Sequence, residues 1–105
     1  MKVYISGPIT GVSGYMQKFS SAEALWNDMG IYTINPARTN GTLPEETTHD
    51  EYMAISITLL SLCDTIYMLK GWENSEGAKE ELDYAYDHDY NVLFEERLDI
   101  KELQK

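Results

Sequence analysis

The chain has 105 residues, 43% of them apolar and 25% charged, which is the length of one domain with one hydrophobic core. Its formal net charge of −10 comes from 18 acidic and 8 basic side chains, so broad contact with nucleic-acid backbones or anionic membranes is disfavoured. The single cysteine, Cys63, excludes an internal disulfide, and the sequence has no Cys/His cluster of the kind that binds zinc.

The first predicted element is a strand, Lys2–Ser6, which the turn sequence GPITG ends. This short run broken by Gly-Pro is unlike a signal peptide, and no apolar stretch is long enough to cross a bilayer, so we expect a cytoplasmic protein. An amphipathic helix follows, because apolar side chains recur at spacings of four and three from Tyr15 to Met29, before Gly30. Residues 31–34 form the second predicted strand.

A polar loop is predicted for residues 37–49, followed by a helix over about residues 50–62 with Asp50 as its expected N-cap. The third strand, residues 64–69, is a nearly continuous apolar run, which is typical of a strand covered on both faces of a sheet. The remaining predicted elements are a helix (residues 75–89), a strand (Asn91–Phe94) and a tail (residues 98–105) that forms a short helix or frays.

The alternation of strands and helices predicts an α/β domain over residues 1–105, with a parallel sheet between two helical layers. We expect a small Rossmann-like or flavodoxin-like fold with four, or at most five, parallel strands. Ligands of such sheets bind at the carboxyl ends of the strands. The loops at those ends are residues 7–14, 35–49 and 70–75, which are the stretches richest in glycine, proline and polar side chains.

The last long helix carries a glutamate, Glu81, whose position differs from that of its acidic neighbours. At about 100° per residue, Glu81 lies beside the apolar face formed by Ala78, Leu82 and Ala85. One interpretation is a boundary side chain that reaches out to water. The other is a carboxylate at a pocket wall, available as a nucleophile or an acid/base group. We assign the other acidic side chains of this helix to solvent: Glu76, Glu80, Asp83 and Asp87.

Several residues near the predicted strand ends have both a functional and a structural interpretation. Gly7 and Gly11 allow close approach of the backbone to a ligand, but they also suit an ordinary turn. Tyr4 either packs in the core or directs its hydroxyl at the site, and Asn35 either forms a turn or contacts a ligand. Ser56 either bonds back to the helix backbone or faces a pocket.

The N-terminus of the last long helix offers a further ligand-binding position. Ser75 is a suitable N-cap and Gly77 leaves room for close approach, so free N–H groups of the first turn could hold a hydroxyl or phosphate. Trp72, just before this turn, either packs at the sheet edge or stacks on a planar base. Cys63 is interpreted as a small buried side chain, because no histidine is placed to activate it.

Four stretches together resemble the nucleoside 2-deoxyribosyltransferase-like superfamily: YISGPITG, the strand-ending Asn35-Pro36, YMAISITLLSLCDTIYMLKGW and SEGAKEELDYA. The resemblance covers about residues 2–90, and the most similar branch is a small group common in bacteriophages and prophages. The superfamily includes base-exchanging deoxyribosyltransferases and deoxynucleoside monophosphate N-glycosidases. What it implies is the same fold and a substrate that is a small nucleoside or nucleotide, processed without a cofactor or metal by a homodimer or larger homo-oligomer.

The resemblance also implies residue roles. Glu81 matches the nucleophile that attacks the anomeric carbon of the sugar, after which the glycosyl ester passes to water or to a second base. Tyr4 matches a tyrosine near that nucleophile. The positions that match substrate-contacting turns are Gly7, Ile9 and Gly11 in the first loop, and Ser75 and Gly77 before and within the last long helix.

At two positions the chain departs from the N-glycosidases. Ser56 replaces an aspartate that helps to protonate the leaving base, and Thr10 replaces an arginine that binds the 5′-phosphate. Asp50 is a poor substitute for the missing acid, at one and a half helical turns from Ser56. Two alternatives to an enzyme therefore stay open: a binding protein for a nucleotide-like ligand with weakened catalysis, and a phage protein whose acidic face binds a host partner.

Overall fold

The computed structural model describes residues 1–98, so the predicted tail, apart from Leu98, lies outside the described residues. None of the helices in this part of the chain is both long and apolar enough to cross a membrane. The elements are β1 (Lys2–Ser6), α1 (Tyr15–Asp28), β2 (Tyr32–Ile34), α2 (Pro36–Asn40), α3 (His49–Leu60), β3 (Thr65–Met68), a 3₁₀ turn (Trp72–Asn74), α4 (Glu76–Asp87) and β4 (Asn91–Phe94).

The strands form one parallel sheet in the order β2-β1-β3-β4, which confirms the predicted α/β class. Strand order reverses between β1 and β3, because the chain moves to one side from β1 to β2 and to the other side from β3 to β4. In open α/β sheets this switch point is where a crevice forms at the carboxyl ends of the strands. Here that end of β1 is Ser6, which is paired with Met68 of β3.

Alternation along β1 divides the core into two layers. Val3 and Ile5 face the side covered by α1, where they pack with Phe19 and Trp26. Tyr4 faces the opposite side and packs with residues of α3 and α4, among them Leu60 and Leu82. Because side chains on a strand have a period of two, Ser6 lies on the same side of the sheet as Tyr4. Both hydroxyl groups of β1 therefore lie on the side of the sheet that α3 and α4 cover, which we call the α3/α4 layer.

The stretch predicted as a polar loop contains a helix that the sequence analysis missed. The Asn35 side chain accepts a hydrogen bond from the Ala37 N–H at 3.0 Å, and Pro36 occupies the first helical position, so α2 begins there. The prediction of Asp50 as the cap of α3 is wrong. Thr48 caps that helix and forms a reciprocal capping box with Glu51, which moves the helix start to His49.

Candidate active site

Glu81 lies in the second turn of α4 and is buried, with 6% of its surface exposed. Its two carboxylate oxygens accept hydrogen bonds from the two hydroxyls of β1. Tyr4 Oη donates to Oε2, and Ser6 Oγ donates to Oε1 at 2.7 Å. The interpretation of Glu81 as an inward-facing side chain is therefore confirmed by the geometry. The four glutamates and aspartates that we assigned to solvent are all exposed: Glu76, Glu80, Asp83 and Asp87.

Burial raises the pKa of Glu81 to about 7, because the ionised carboxylate loses its hydration. The hydrogen bonds from Tyr4 and Ser6 oppose this rise, since they stabilise the charged form, and the negative charge of Glu80 adds to it. The pKa of Tyr4 is also raised, first by burial and then by the charge of Glu81, while a hydrogen bond from Ser56 acts in the opposite direction. Near neutral pH, Glu81 is therefore present in both protonation states while Tyr4 keeps its proton.

A cavity of about 200 Å³ opens in front of Glu81 at the carboxyl end of β1. Three parts of the chain contribute most of its wall: the loop that follows β1, one face of α3, and the first two turns of α4. These are the places where the sequence analysis expected a ligand. The wall includes seven of the residues predicted to form the site: Gly7, Ile9, Thr10, Ser56, Ser75, Gly77 and Glu81.

Two glycines permit the close packing around this cavity. A Cβ atom added to Gly7 would lie 2.9 Å from Cβ of Leu69, a contact that real side chains do not make. The segments that directly follow β1 and β3 therefore require glycine at position 7. A Cβ added to Gly77 would lie 3.2 Å from Sδ of Met53, which shows how tightly α3 and α4 approach each other. At the same helix end, Ser75 caps α4 as predicted by accepting from the Ala78 N–H at 3.1 Å.

Three residues predicted to bind substrate do not line the cavity: Gly11, Asn35 and Trp72. Besides capping α2, Asn35 donates to Oε1 of Glu23 at 3.3 Å, and this carboxylate also pairs with Arg38 at 2.8 Å. These contacts fix α2 against α1. Trp72 packs against Phe94, with ring centroids 5.7 Å apart. Both side chains therefore have structural roles in this geometry.

Six cavity residues were not predicted as site residues from the sequence: Tyr15, Asn40, His49, Tyr52, Met53 and Ala78. A signal for three of them was present, since His49, Tyr52 and Met53 precede Ser56 by seven, four and three residues and share its helical face. Asn40 had no such signal. Its side-chain oxygen Oδ1 is buried and, among the described residues, has no hydrogen-bond partner.

The thiol of Cys63, a second potential nucleophile, does not belong to this site. Cys63 is buried in the α3/α4 layer, and its burial raises the pKa of the thiol to about 11, which disfavours the reactive thiolate. Within residues 1–98, the acidic, histidine and cysteine side chains form no group of three or more that could hold a metal ion. The reactive groups at the cavity are thus a carboxyl, hydroxyls and one imidazole.

The fold is that of the 2-deoxyribosyltransferases. A solved 2-deoxyribosyltransferase from Bacillus psychrosaccharolyticus, described as a biocatalyst for the synthesis of nucleosides, superposes with a TM-score of 0.72. The two chains are 17% identical, and the match covers 90% of this chain and 71% of the other. This likeness establishes the fold and leaves the activity to be argued from the site.

The chain belongs to the family described as a domain of unknown function, DUF4406, whose model matches residues 1–94. That match extends from β1 to the end of β4 and includes every residue of the cavity wall. No match to a curated protein is found.

Proposed function

We propose that the protein is an N-glycoside hydrolase or transferase that acts on a (deoxy)ribonucleoside or nucleotide, with Glu81 as its nucleophile. The observation that carries this proposal is a buried carboxyl at the wall of a cavity, with each oxygen held by a hydroxyl of β1. A glutamate with no chemical task at this place would be replaced at no loss by an apolar side chain, since burying a carboxyl is costly.

The geometry suits attack on an anomeric carbon. Tyr4 and Ser6 fix the plane of the carboxyl group, so that an oxygen lone pair of ionised Glu81 is presented to a sugar in the cavity. A bond forms between that oxygen and C1′, while the C1′–N bond breaks and its electron pair goes to the base. The resulting ester is then cleaved by water or by a second base. Tyr4 is thus a positioning residue for the nucleophile.

The size of the cavity favours a small substrate. At about 200 Å³ it is smaller than the roughly 300–1,000 Å³ typical of pockets that enclose a whole drug-sized ligand. A pentose fits such a volume while its base extends toward the opening. Assembly into a homodimer or larger homo-oligomer, as expected from the sequence, would cover the extended part. The 2-deoxyribosyltransferase fold supports a nucleoside substrate, and membership in a phage branch stays a prediction.

The test is release of free base from a panel of nucleosides, 5′-deoxynucleotides and NAD. We expect wild-type protein to release base from at least one of them, and both Glu81→Gln and Glu81→Ala to release none above background. Glu76→Gln is the matched control, because Glu76 lies on the same helix but is exposed, and it should keep wild-type activity. Wild-type turnover by Glu81→Ala would refute the assignment of the nucleophile.

One observation favours a second function, a nucleotide-like ligand-binding protein with little or no turnover. Ser56 lines the cavity where an acid would assist departure of the base, and a serine hydroxyl is too weak an acid for that task. Binding of a panel member by calorimetry, with no base released over hours, would support this alternative over the enzyme.

A further inference from the structure

Departure of a neutral base requires a proton, and the cavity wall lacks a carboxylic acid other than the nucleophile among the described residues. Ser56 is a weak acid that is unable to protonate a base at neutral pH. Asp50, the substitute suggested by the sequence, is exposed and lies outside the wall. These groups therefore account for attack on the sugar but supply no proton to the departing base.

An imidazole occupies a suitable position. His49 is the first residue of α3 and lines the cavity two helical turns before Ser56, on the same face. A Cβ atom on Gly77 would lie 3.9 Å from Cε1 of His49, so the imidazole ring lies over the first turn of α4. Gly77 precedes Glu81 by four residues, a rise of about 6 Å along the helix axis. The imidazole thus faces the cavity beside the first turn of α4, and the carboxyl of Glu81 faces it from the second turn.

A second contact brings the imidazole close to α4. Nε2 of His49 lies 3.5 Å from Oε2 of Glu80, the residue that directly precedes the nucleophile. With Nε2 directed to this carboxylate, Nδ1 is the ring nitrogen that can meet a ligand. About half of the His49 side chain is exposed, so it lies at the mouth of the cavity rather than at its base. A base that extends from a pentose bound against Glu81 would reach this mouth.

We propose that His49 is the proton donor for the leaving base, an inference that rests on the proposed glycosidic function. As Glu81 bonds to C1′ and the C1′–N bond breaks, the imidazolium of His49 gives its Nδ1 proton to the base nitrogen that receives the electron pair. The base leaves neutral. His49, now neutral, takes a proton from water as the water oxygen bonds to C1′ and the C1′–O bond to Glu81 breaks. Free sugar and both side chains in their starting states result.

The experiment compares 2′-deoxyguanosine with 7-methyl-2′-deoxyguanosine, each as nucleoside and as 5′-monophosphate, with Glu81→Gln as the blank. The methylated base carries a fixed positive charge and leaves as a neutral molecule without a proton. We expect His49→Gln to lower kcat/KM for the unmethylated compound by about 100-fold or more, the scale of general acid catalysis. For the methylated compound, kcat/KM of the same variant should stay within a few-fold of wild type, because kcat/KM covers the steps up to base release and not the later attack of water. This result also shows that the variant is folded.

The matched control is His88→Gln, because His88 is the second histidine of the chain and stacks on Tyr84 outside the cavity wall. It should act on both compounds like wild type. Equal losses on both compounds for His49→Gln would overturn the proton-donor role while the glycosidic function stands. A wild type that releases only the methylated base, or neither, would also overturn it. Absence of turnover across the whole substrate panel would instead refute the proposed function itself.

Discussion

Replacing Glu81 by glutamine should stabilise the protein increasingly as the pH rises. Burial places the pKa of Glu81 at about 7 in the folded protein, against an ordinary value of 4.5. The folded state therefore holds its proton more tightly than the unfolded state does between these two pH values. The contribution of Glu81 to stability is greatest below about pH 4.5 and is lost as the pH rises through about 7.

The size of this loss follows from the two pKa values. At about 1.4 kcal/mol per pKa unit, the difference between them corresponds to about 3 kcal/mol of unfolding free energy. Glutamine stays neutral and avoids the loss. Its amide obliges the Tyr4 or Ser6 hydroxyl to turn and accept a hydrogen bond, at a cost of about 1 kcal/mol that does not depend on pH. The informative quantity is therefore the change with pH in the stability difference between the two proteins.

Urea unfolding at pH 5, 6, 7 and 8 measures that quantity, because all other titrating groups are shared by variant and wild type. We expect the stability of Glu81→Gln relative to wild type to rise by about 2–3 kcal/mol over this range, most steeply between pH 5 and pH 6.5, and to level off above about pH 7. Glu76→Gln changes an exposed carboxylate of the same helix and should give a flat difference. Parallel stability curves for Glu81→Gln and wild type would refute the burial of an ionisable carboxyl at this position.

Two further predictions concern the cavity. For a base that leaves without a proton, release should rise with pH as Glu81 ionises, with a midpoint near pH 7. Tyr4→Phe and Ser6→Ala should each move that midpoint to higher pH, because each removes a hydrogen bond that lowers the pKa of Glu81. An unchanged midpoint in both variants would contradict the hydrogen-bond geometry. Asn40→Ala should weaken ligand binding by about 10-fold in calorimetry without lowering the stability of the free protein, because its buried Oδ1 has no partner among the described residues and would accept from a ligand. A loss of apo stability with unchanged affinity would show that Asn40 is structural.

The features that could be predicted from the sequence are those that depend on local periodicity. Side chains alternate along β1, which places Tyr4 and Ser6 on one face of the sheet. The helical periodicity of α4 places Glu81 beside Ala78 and Leu82. Right-handed crossovers determine which side of the sheet each helix covers. With that rule, these two patterns are enough to predict that the Glu81 carboxyl lies against the sheet. β1 and β4 begin and end where they were predicted, because turn residues flank them closely.

The features that could not be predicted depend on how separate elements pack. His49 and Asn40 reach the cavity only because α3 begins, and α2 ends, at the same cavity wall as the N-terminus of α4, an arrangement that neither segment encodes by itself. Asn35 was a candidate for ligand contact because it follows a strand, yet its side chain caps α2 and bonds to the Glu23 carboxylate. Thr48 could have been found, since a threonine three residues before a glutamate is a recognised helix start.

Burying Glu81 lowers the stability of the protein, which indicates a chemical role for the hydrogen-bonded group of Glu81, Tyr4 and Ser6. A carboxyl in the α3/α4 layer lowers stability above its pKa, and an amide or an aliphatic side chain there would avoid that cost. Within residues 1–98, no cationic side chain pairs with this carboxylate. Instead Tyr4 and Ser6 supply hydroxyls, which leave the oxygens basic and exposed to the cavity on one side. An arrangement that keeps a carboxylate oriented, weakly stabilised and near its pKa at neutral pH is suited to a nucleophile, and it serves no purpose in packing alone.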